Sequence, residues 1–569
     1  MITRLTIANF KSICETTHID IRPLTLLFGP NGAGKSTILH ALHLFRRLLD
    51  RGNLDYGILL DGPGSPNLGG LREMTFRQQI DREIVLGLEY ELPRGVKELG
   101  SFAKPPPTDP LLSEIWDKIH VAEVEFVLHH IDDGQGFHAD IKEIRFGLNG
   151  EPLATVGIWT NQSTVNSRHP VFTSVMRDGR SDWLESLFDC YMKEKPNAQT
   201  GEVRCILNHR LFLSRTALAG ERADAEVSDD LTLLQEKEET PNDDWRLLNG
   251  VLELALMGPL RLLQDWSLNG FRHIGPLRTI PPDYRLVQRA VETPGHGWYT
   301  GAAAWDLILD PSRSRYHTML LGELNHVIHD IMGLGLDVRT ISTRSIEENW
   351  SDQYLARSGE AEGLQLPATK HFAFQLHRLV QECQTLSSEK MRERLEALQQ
   401  IFLAVPKQQK VTLFDEMAGI PIDPRHLAVG VSQMLPIVIG CLAFSEIPLL
   451  AVEQPELHIH PRLQCALGDV LAAEVSRPSD NKIRRLILET HSEHLLLRLL
   501  RRIRETTLGR VPEDAWPLDP DDVAVVYVEP RGLQSKGSTA RRLRIDRDGE
   551  FLDPWPNGFF EERGEELFQ

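Results

Sequence analysis

The stretch Leu24-Thr25-Leu26-Leu27-Phe28-Gly29-Pro30-Asn31-Gly32-Ala33-Gly34-Lys35-Ser36-Thr37 decides the fold. Its first five residues form an apolar run of strand length, and residues 37–49 (TILHALHLFRRLL) repeat apolar side chains at helical spacing. Between them residues 29–36 read GxxxxGKS. The glycines let the backbone curl so that the N–H groups over Asn31, Gly32, Ala33, Gly34, Lys35, Ser36 and Thr37 gather around phosphate oxygens. The positive end of the helix dipole adds to the attraction. Lys35 is expected to reach the β- and γ-phosphates of ATP, and the Ser36 hydroxyl to ligate Mg²⁺. Strand before and helix after distinguish this loop from a chance Gly-rich turn.

A partner for this loop lies far downstream. Residues 448–453 (PLLAVE) form a short apolar run ending in an acid, the pattern of a Walker B strand, and Glu453 is its candidate Mg²⁺ carboxylate. Gln454, Pro455 and Glu456 follow, then the polar turn Leu457-His458-Ile459-His460-Pro461. Just upstream, Val429-Gly430-Val431-Ser432-Gln433 opens an apolar helical run, a second phosphate-binding design in which Gly430, Ser432 and Gln433 are the candidates. Downstream, Leu486-Ile487-Leu488 reads as another buried strand, followed by Glu489-Thr490-His491-Ser492. A histidine at the carboxyl end of such a strand faces the ligand crevice of an open α/β sheet.

In this order the motifs resemble the ABC-type ATPases of the OLD, RecF and SMC-like class. Ile7-Ala8-Asn9-Phe10-Lys11-Ser12 is similar to the opening of those heads, VEQPELHIHP to their Walker B and D-loop, and ETHSEHLL to their switch histidine. The stretches VVYVE (525–529), Arg544-Ile545-Asp546 and LDPWPNGFF (552–560) resemble a short C-terminal module of one bacterial subgroup, as does the GPLR of His273-Ile274-Gly275-Pro276-Leu277-Arg278. The resemblance implies a two-lobed α/β head, a mixed sheet flanked by helices. It also implies that the signature residues Gly430, Ser432 and Gln433 cap the γ-phosphate held by a second copy, so that the working unit is at least a homodimer. Where such heads often carry a water-orienting Glu, this chain has Gln454. Either Glu456 or His491 then takes part of the catalytic role, or turnover is slow and ATP acts mainly as a dimer clamp.

The domain boundaries drawn from sequence are a first lobe with a β-subdomain over 1–160, a mainly helical insertion over 161–424, a second lobe over 425–530 and a short module over 531–569. Residues 83–91 and 121–129 alternate as antiparallel strands. Residues 161–170 form a polar break, 221–244 an acidic solvated segment, and 372–402 a helix too short for an SMC-type arm. Arg498, Arg501, Arg502 and Arg504 spread around one helix and read as a solvated surface more than as a DNA stripe.

At 569 residues the chain is long enough for roughly two to four domains. Its net charge of -19 confines any DNA-binding surface to a local patch and favours a protein partner. Six scattered cysteines without a CxxC pair fit a reducing cytosol and not a zinc site. Residues 435–452, the longest apolar stretch, are broken by Ser445 and Glu446, so no membrane span is expected. The residues after Arg510 are too few for the metal nuclease domain of OLD proteins. Transport heads lack so large an insertion.

The reading that follows is a cytoplasmic, nucleotide-switched ATPase resembling the ATPase subunits of antiphage defense systems such as Septu, acting with a separate effector such as a nuclease. The alternative is a RecF-like DNA repair or recombination ATPase acting directly on DNA.

Overall fold

The computed structural model describes residues 2–51, 66, 68–92, 119–132, 137–160, 168–175, 258–266, 270–279, 285–286, 297–309, 317–343, 376, 378–381, 387–404, 408–443, 449–476, 484–530 and 537–556. The acidic segment 221–244, Arg289, the breaking pair Ser445 and Glu446, and residues 557–560 lie outside them. The chain divides into two compact units, Met1–Leu277 with Pro294–Thr300 and Ala443–Gln569, and Arg278–Thr293 with Gly301–Leu442.

The first unit holds two sheets. Strands β1 (Ile2–Ala8), β2 (Thr17–Asp20), β4 (Ile84–Glu91), β5 (Val121–Asp132), β6 (Phe137–Leu148), β7 (Glu151–Thr160) and β8 (Arg168–Val175) form an antiparallel sheet in the order β2-β1-β4-β5-β6-β7-β8. The meander therefore runs on through β8, past the break placed at 161–170. Strand β3 (Leu24–Phe28) leaves for a second sheet of order β17-β16-β3-β15-β14-β9, with β9 Phe271–Ile274, β14 Leu449–Glu453, β15 Arg485–Glu489, β16 Val523–Glu529 and β17 Thr539–Leu543. Strands β16, β3, β15, β14 and β9 are mutually parallel, and β17 closes one edge antiparallel. Strands β3, β14 and β15 are buried at every residue, which is why their sequences are continuous apolar runs and not alternating ones. The fold class is α/β, with a mixed sheet and flanking helices.

Helix α1 (Lys35–Arg51) packs into one apolar core shared by both sheets. Leu39, Leu42 and Phe45 are fully buried, and the Phe45 ring meets Phe126 of β5 edge-on at 5.1 Å between centroids. Helix α2 (Gly258–Asp265) adds Leu260 and Leu263 to the same core. Residues 258–277 lie in the stretch read as a helical insertion, yet they supply the edge strand β9 of the six-stranded sheet.

In the second unit, β10 (Arg285–Leu286), β12 (Gln408–Asp415) and β11 (Leu336–Thr343) form an antiparallel sheet, with β13 (Ile420–Ile422) also paired to β12. Around it lie α3 (Ala302–Leu309), α4 (His317–His326), α5 (Ser388–Ala404) and α6 (Val429–Leu442). Where residues 161–424 are described, helix is the larger share, and strands β8 to β13 lie among the helices. Trp305 of α3 is wholly buried and donates its indole N–H to the Thr279 carbonyl at 3.1 Å, the partner a buried indole needs. Helix α6, with the signature residues, belongs to this unit, apart from the Walker B strand with which the sequence grouped it.

Helices α7 (Pro461–Ser476) and α8 (Glu493–Thr507) return to the first unit. Ser492 caps α8, accepting from the Leu495 N–H at 2.9 Å. The arginines of α8 are internally paired. Arg498 and Arg502 both reach Asp469, at 2.6 and 2.8 Å, Arg501 and Arg502 hold Glu505, and Arg504 holds Glu550. Arg498 and Arg502 staple α8 to α7, Arg504 ties it to the C-terminal turn, and Arg501 pairs within α8 itself.

Candidate nucleotide site

The carboxyl ends of β3, β14 and β15 meet at one edge of the six-stranded sheet. In register, Glu453 lies opposite Glu489, and Glu489 opposite Leu27. This is the position where an open α/β sheet binds its ligand. The loop from β3 begins with Gly29 at φ 142°, where an added Cβ would lie 2.1 Å from the Val528 carbonyl oxygen. Gly34, at φ 99°, has the Ser12 hydroxyl 2.1 Å from the same imaginary atom. Both positions require glycine, one for the approach of β16 and one for the turn Asn9-Phe10-Lys11-Ser12. Asn31 and Gly32 are exposed, and Ala33 is buried beneath them.

Lys35 is buried, and its ammonium donates to the carbonyls of Gly29 at 3.0 Å and Pro30 at 3.1 Å. Burial lowers its pKa, and the carboxylates of Glu489 and Glu456 oppose that shift. Ser36 donates to Glu489 Oε2 at 2.7 Å. Thr37 lies with its hydroxyl 3.1 Å from that of Ser12, so it braces the loop from behind.

Glu453 is buried, and His273 of β9 places Nε2 3.0 Å from its Oε1. The distance suits an ion pair, but the ring nitrogen is not aligned for a hydrogen bond, so the contact is electrostatic. Lys11 and His40 stand nearby, with Lys11 Nζ 2.8 Å from His40 Nδ1. Burial brings Lys11 down to about 8 against the pull of Glu453. Burial, then Lys11, takes His40 to about 4.

Gln454 sits at φ 43°, a left-handed conformation uncommon outside glycine, and its N–H donates to the Glu489 carbonyl at 2.7 Å. Glu456 has both oxygens engaged, accepting from Thr490 Oγ1 and from the His491 N–H, each at 2.7 Å. It is therefore a clamp on the switch segment. His491 is half-buried, with Nε2 buried and unpaired, and its pKa is lowered by burial and then by Lys35. A neutral imidazole beside the loop lysine suits a sensor that hydrogen-bonds a terminal phosphate.

The signature residues are engaged locally. Ser432 is fully buried, and its hydroxyl donates to the Val429 carbonyl at 2.9 Å. The Gln433 side chain forms a two-way pair with the Arg278 backbone, accepting from its N–H at 2.9 Å and donating to its carbonyl at 2.6 Å. Gly430 is half-exposed and Val429 is 57% exposed. The exposed end of α6 is thus Val429 and Gly430. Arg278 of the GPLR segment is buried and is turned to Gln433.

The donors suit Mg²⁺. A hydroxyl and carboxylates are hard oxygen ligands, and this ion takes one or two carboxylates plus phosphate oxygens and water. Among the described residues no group of three or more His, Cys, Asp or Glu side chains is arranged to hold a metal unaided. Two residues of this edge were missed from sequence, Glu489 and His273. Glu489 had a signal, since β15, like β14, is an apolar strand ending in an acid.

Comparisons with known proteins give two family matches over stretches that contain parts of this edge. Residues 1–80 match the family described as an AAA ATPase domain, and residues 296–498 match an AAA domain described as a putative AbiEii toxin of a type IV toxin–antitoxin system. Residues 518–569 match a protein family of unknown function, DUF3696. No curated protein gives a significant match. Among solved structures, an SMC head bound to the C-winged helix domain of ScpA is 10% identical with a TM-score of 0.34, over 96% of this chain and 98% of that one. The SMC head domain of Thermotoga maritima is 9% identical with a TM-score of 0.33, over 96% and 99%. The Pyrococcus furiosus Smc head with an extended coiled coil, bound to the C-terminal domain of ScpA, is 9% identical with a TM-score of 0.36, over 100% and 98%. The strand order and the loop geometry carry the assignment, not these overlays. The first AAA match spans the phosphate loop and the second spans strands β14 and β15. Among the described residues no helix is long and apolar enough to cross a membrane.

Proposed function

We propose that the chain binds Mg–ATP at the carboxyl edge of the six-stranded sheet, hydrolyses it slowly, and uses the bound nucleotide to bring two heads together as a switch. The observation that supports this most is the convergence of Lys35, Ser36, Glu453 and His491 on one sheet edge. Lys35 holds phosphate charge. Ser36 and Glu453 hold the ion, which supplies charge neutralisation at the β- and γ-phosphates. Gln454 lies next to Glu453 and orients water without taking its proton, which keeps turnover slow. His491, held neutral, reads whether the terminal phosphate is present.

The wider role is that of a cytoplasmic, ATP-switched regulator acting on a separate protein effector, such as a nuclease in antiphage defense. The alternative is direct action on DNA in repair. The internal pairing of the α8 arginines favours the first, because it removes the most obvious basic stripe. Phosphate release by the purified full chain, with and without duplex DNA, tests the proposal. Slow Mg²⁺-dependent release unaffected by DNA is expected. Stimulation by DNA of about ten-fold or more, a differential effect near 1.4 kcal/mol, would move the reading to a DNA-repair ATPase. No release and no ATP binding would remove both.

A further inference from the structure

Glu489 is one of the two side chains at this edge that the motifs do not explain. It is buried at the end of β15, facing Glu453 across neighbouring strands, with Glu456 also near. Burial raises its pKa, while the Ser36 hydrogen bond and Lys35 pull the other way. Glu456 spends its oxygens on the switch segment, whereas Glu489 meets the phosphate loop directly through Ser36. Buried like charges on adjacent strands draw cations to themselves, as Lys35 beside Glu489 and Lys11 near Glu453 already show. A serine hydroxyl has one hydrogen and two lone pairs. To offer a lone pair to a metal ion it must hand its hydrogen to an acceptor elsewhere, and Glu489 Oε2 accepts it at 2.7 Å.

From this geometry, and resting on the Mg–ATP reading above, we propose that Glu489 is a second carboxylate of the Mg²⁺ site, a positioning residue that orients Ser36 toward the ion and shares with Glu453 the neutralisation of its charge. A hydrogen-bonded outer partner of a metal ligand is commonly worth about 10–100-fold in metal affinity. The effect should therefore appear in metal-dependent binding and not in metal-free binding.

The experiment uses the full chain and a fluorescent mant-ATP probe, titrated once in EDTA and once with Mn²⁺. The ratio of the two affinities is the metal gain. Glu489→Gln is expected to lose at least about ten-fold of that gain while keeping its EDTA affinity within about two-fold. An unchanged gain overturns the proposal. An equal loss in EDTA also overturns it, since the residue then supports the loop and not the ion. Should the glutamine variant unfold, Glu489→Asp reads the same property. Its carboxylate is drawn back from Ser36, so a gain at least roughly three-fold below wild type is expected, and an undiminished gain again overturns the proposal. Wild-type protein that binds the probe in neither condition removes the Mg–ATP reading itself, a result distinct from a variant that differs from wild type in neither condition.

Discussion

His43 lies inside the core on α1 with neither ring nitrogen hydrogen-bonded, and burial, then His273, holds its pKa well below the usual imidazole range. The unfolded chain takes up a proton near pH ~6.5 that the folded chain refuses, so stability rises with pH through that window and is lost as pH falls below it. His40, held at about 4 chiefly by burial, contributes to the same acid limb between pH ~6.5 and about 4. His43→Leu should therefore flatten the acid limb and raise stability at pH ~5 by on the order of 1 kcal/mol, the scale of a buried polar group left unpaired. Urea melts at pH ~5 and ~7.5 check this, and a variant as acid-sensitive as wild type would count against it. Gln454→Glu should hydrolyse ATP as fast as wild type or faster. A large drop would mean that the amide itself holds the attacking water.

Among the elements, those read most directly from sequence were the ones whose period or motif is local. Strand β3, the phosphate loop and α1 follow from an apolar run, GxxxxGKS and helical spacing. Strands β14 and β15 follow from the same apolar pattern. Strand β9 was not legible, because four buried residues, Phe-Arg-His-Ile, become a strand only by pairing with β14, more than one hundred residues away in sequence. The short strand β10 has the same origin, since its pairing with β12 is equally non-local. Helix α6 begins at Val429, so Ser432 lies within its first turn and its hydroxyl is turned inward to the Val429 carbonyl. The α8 arginines looked like a surface because the acids that hold them sit on other elements or one turn ahead. The close approach of β16 to the loop carries its own prediction. Gly29→Ala would put a methyl into the Val528 carbonyl, so the loop must shift or the protein loses roughly 1–3 kcal/mol of stability. A thermal melt and mant-ATP binding read both consequences, and wild-type values in both would contradict the packing.

For the whole molecule, one chain carries one phosphate loop and one signature helix. Two copies about a two-fold axis would then complete two equivalent sites, the isologous arrangement of a homodimer. ATP at such an interface should tighten assembly through linkage. Ser432 is a poor probe of this because it is buried, whereas Val429 is exposed at the start of the same helix. Val429→Glu should leave ATP binding to the single head intact while repelling a neighbouring triphosphate, so it should sediment as a monomer where wild type dimerises with Mg–ATP. Wild type that stays monomeric with nucleotide, or a variant that dimerises equally well, would set the two-head mechanism aside.

The hydrolysis and two-head predictions rest on Mg–ATP occupying the edge defined by Lys35, Ser36 and Glu453. Equilibrium titration of Mg–ATP into wild type and Lys35→Ala measures that occupancy directly. Removing the ammonium forfeits charge-assisted hydrogen bonds to phosphate worth roughly 1.5–3 kcal/mol apiece, so the variant should bind at least about ten-fold more weakly or not detectably. A Lys35→Ala protein that binds Mg–ATP as tightly as wild type would contradict the account.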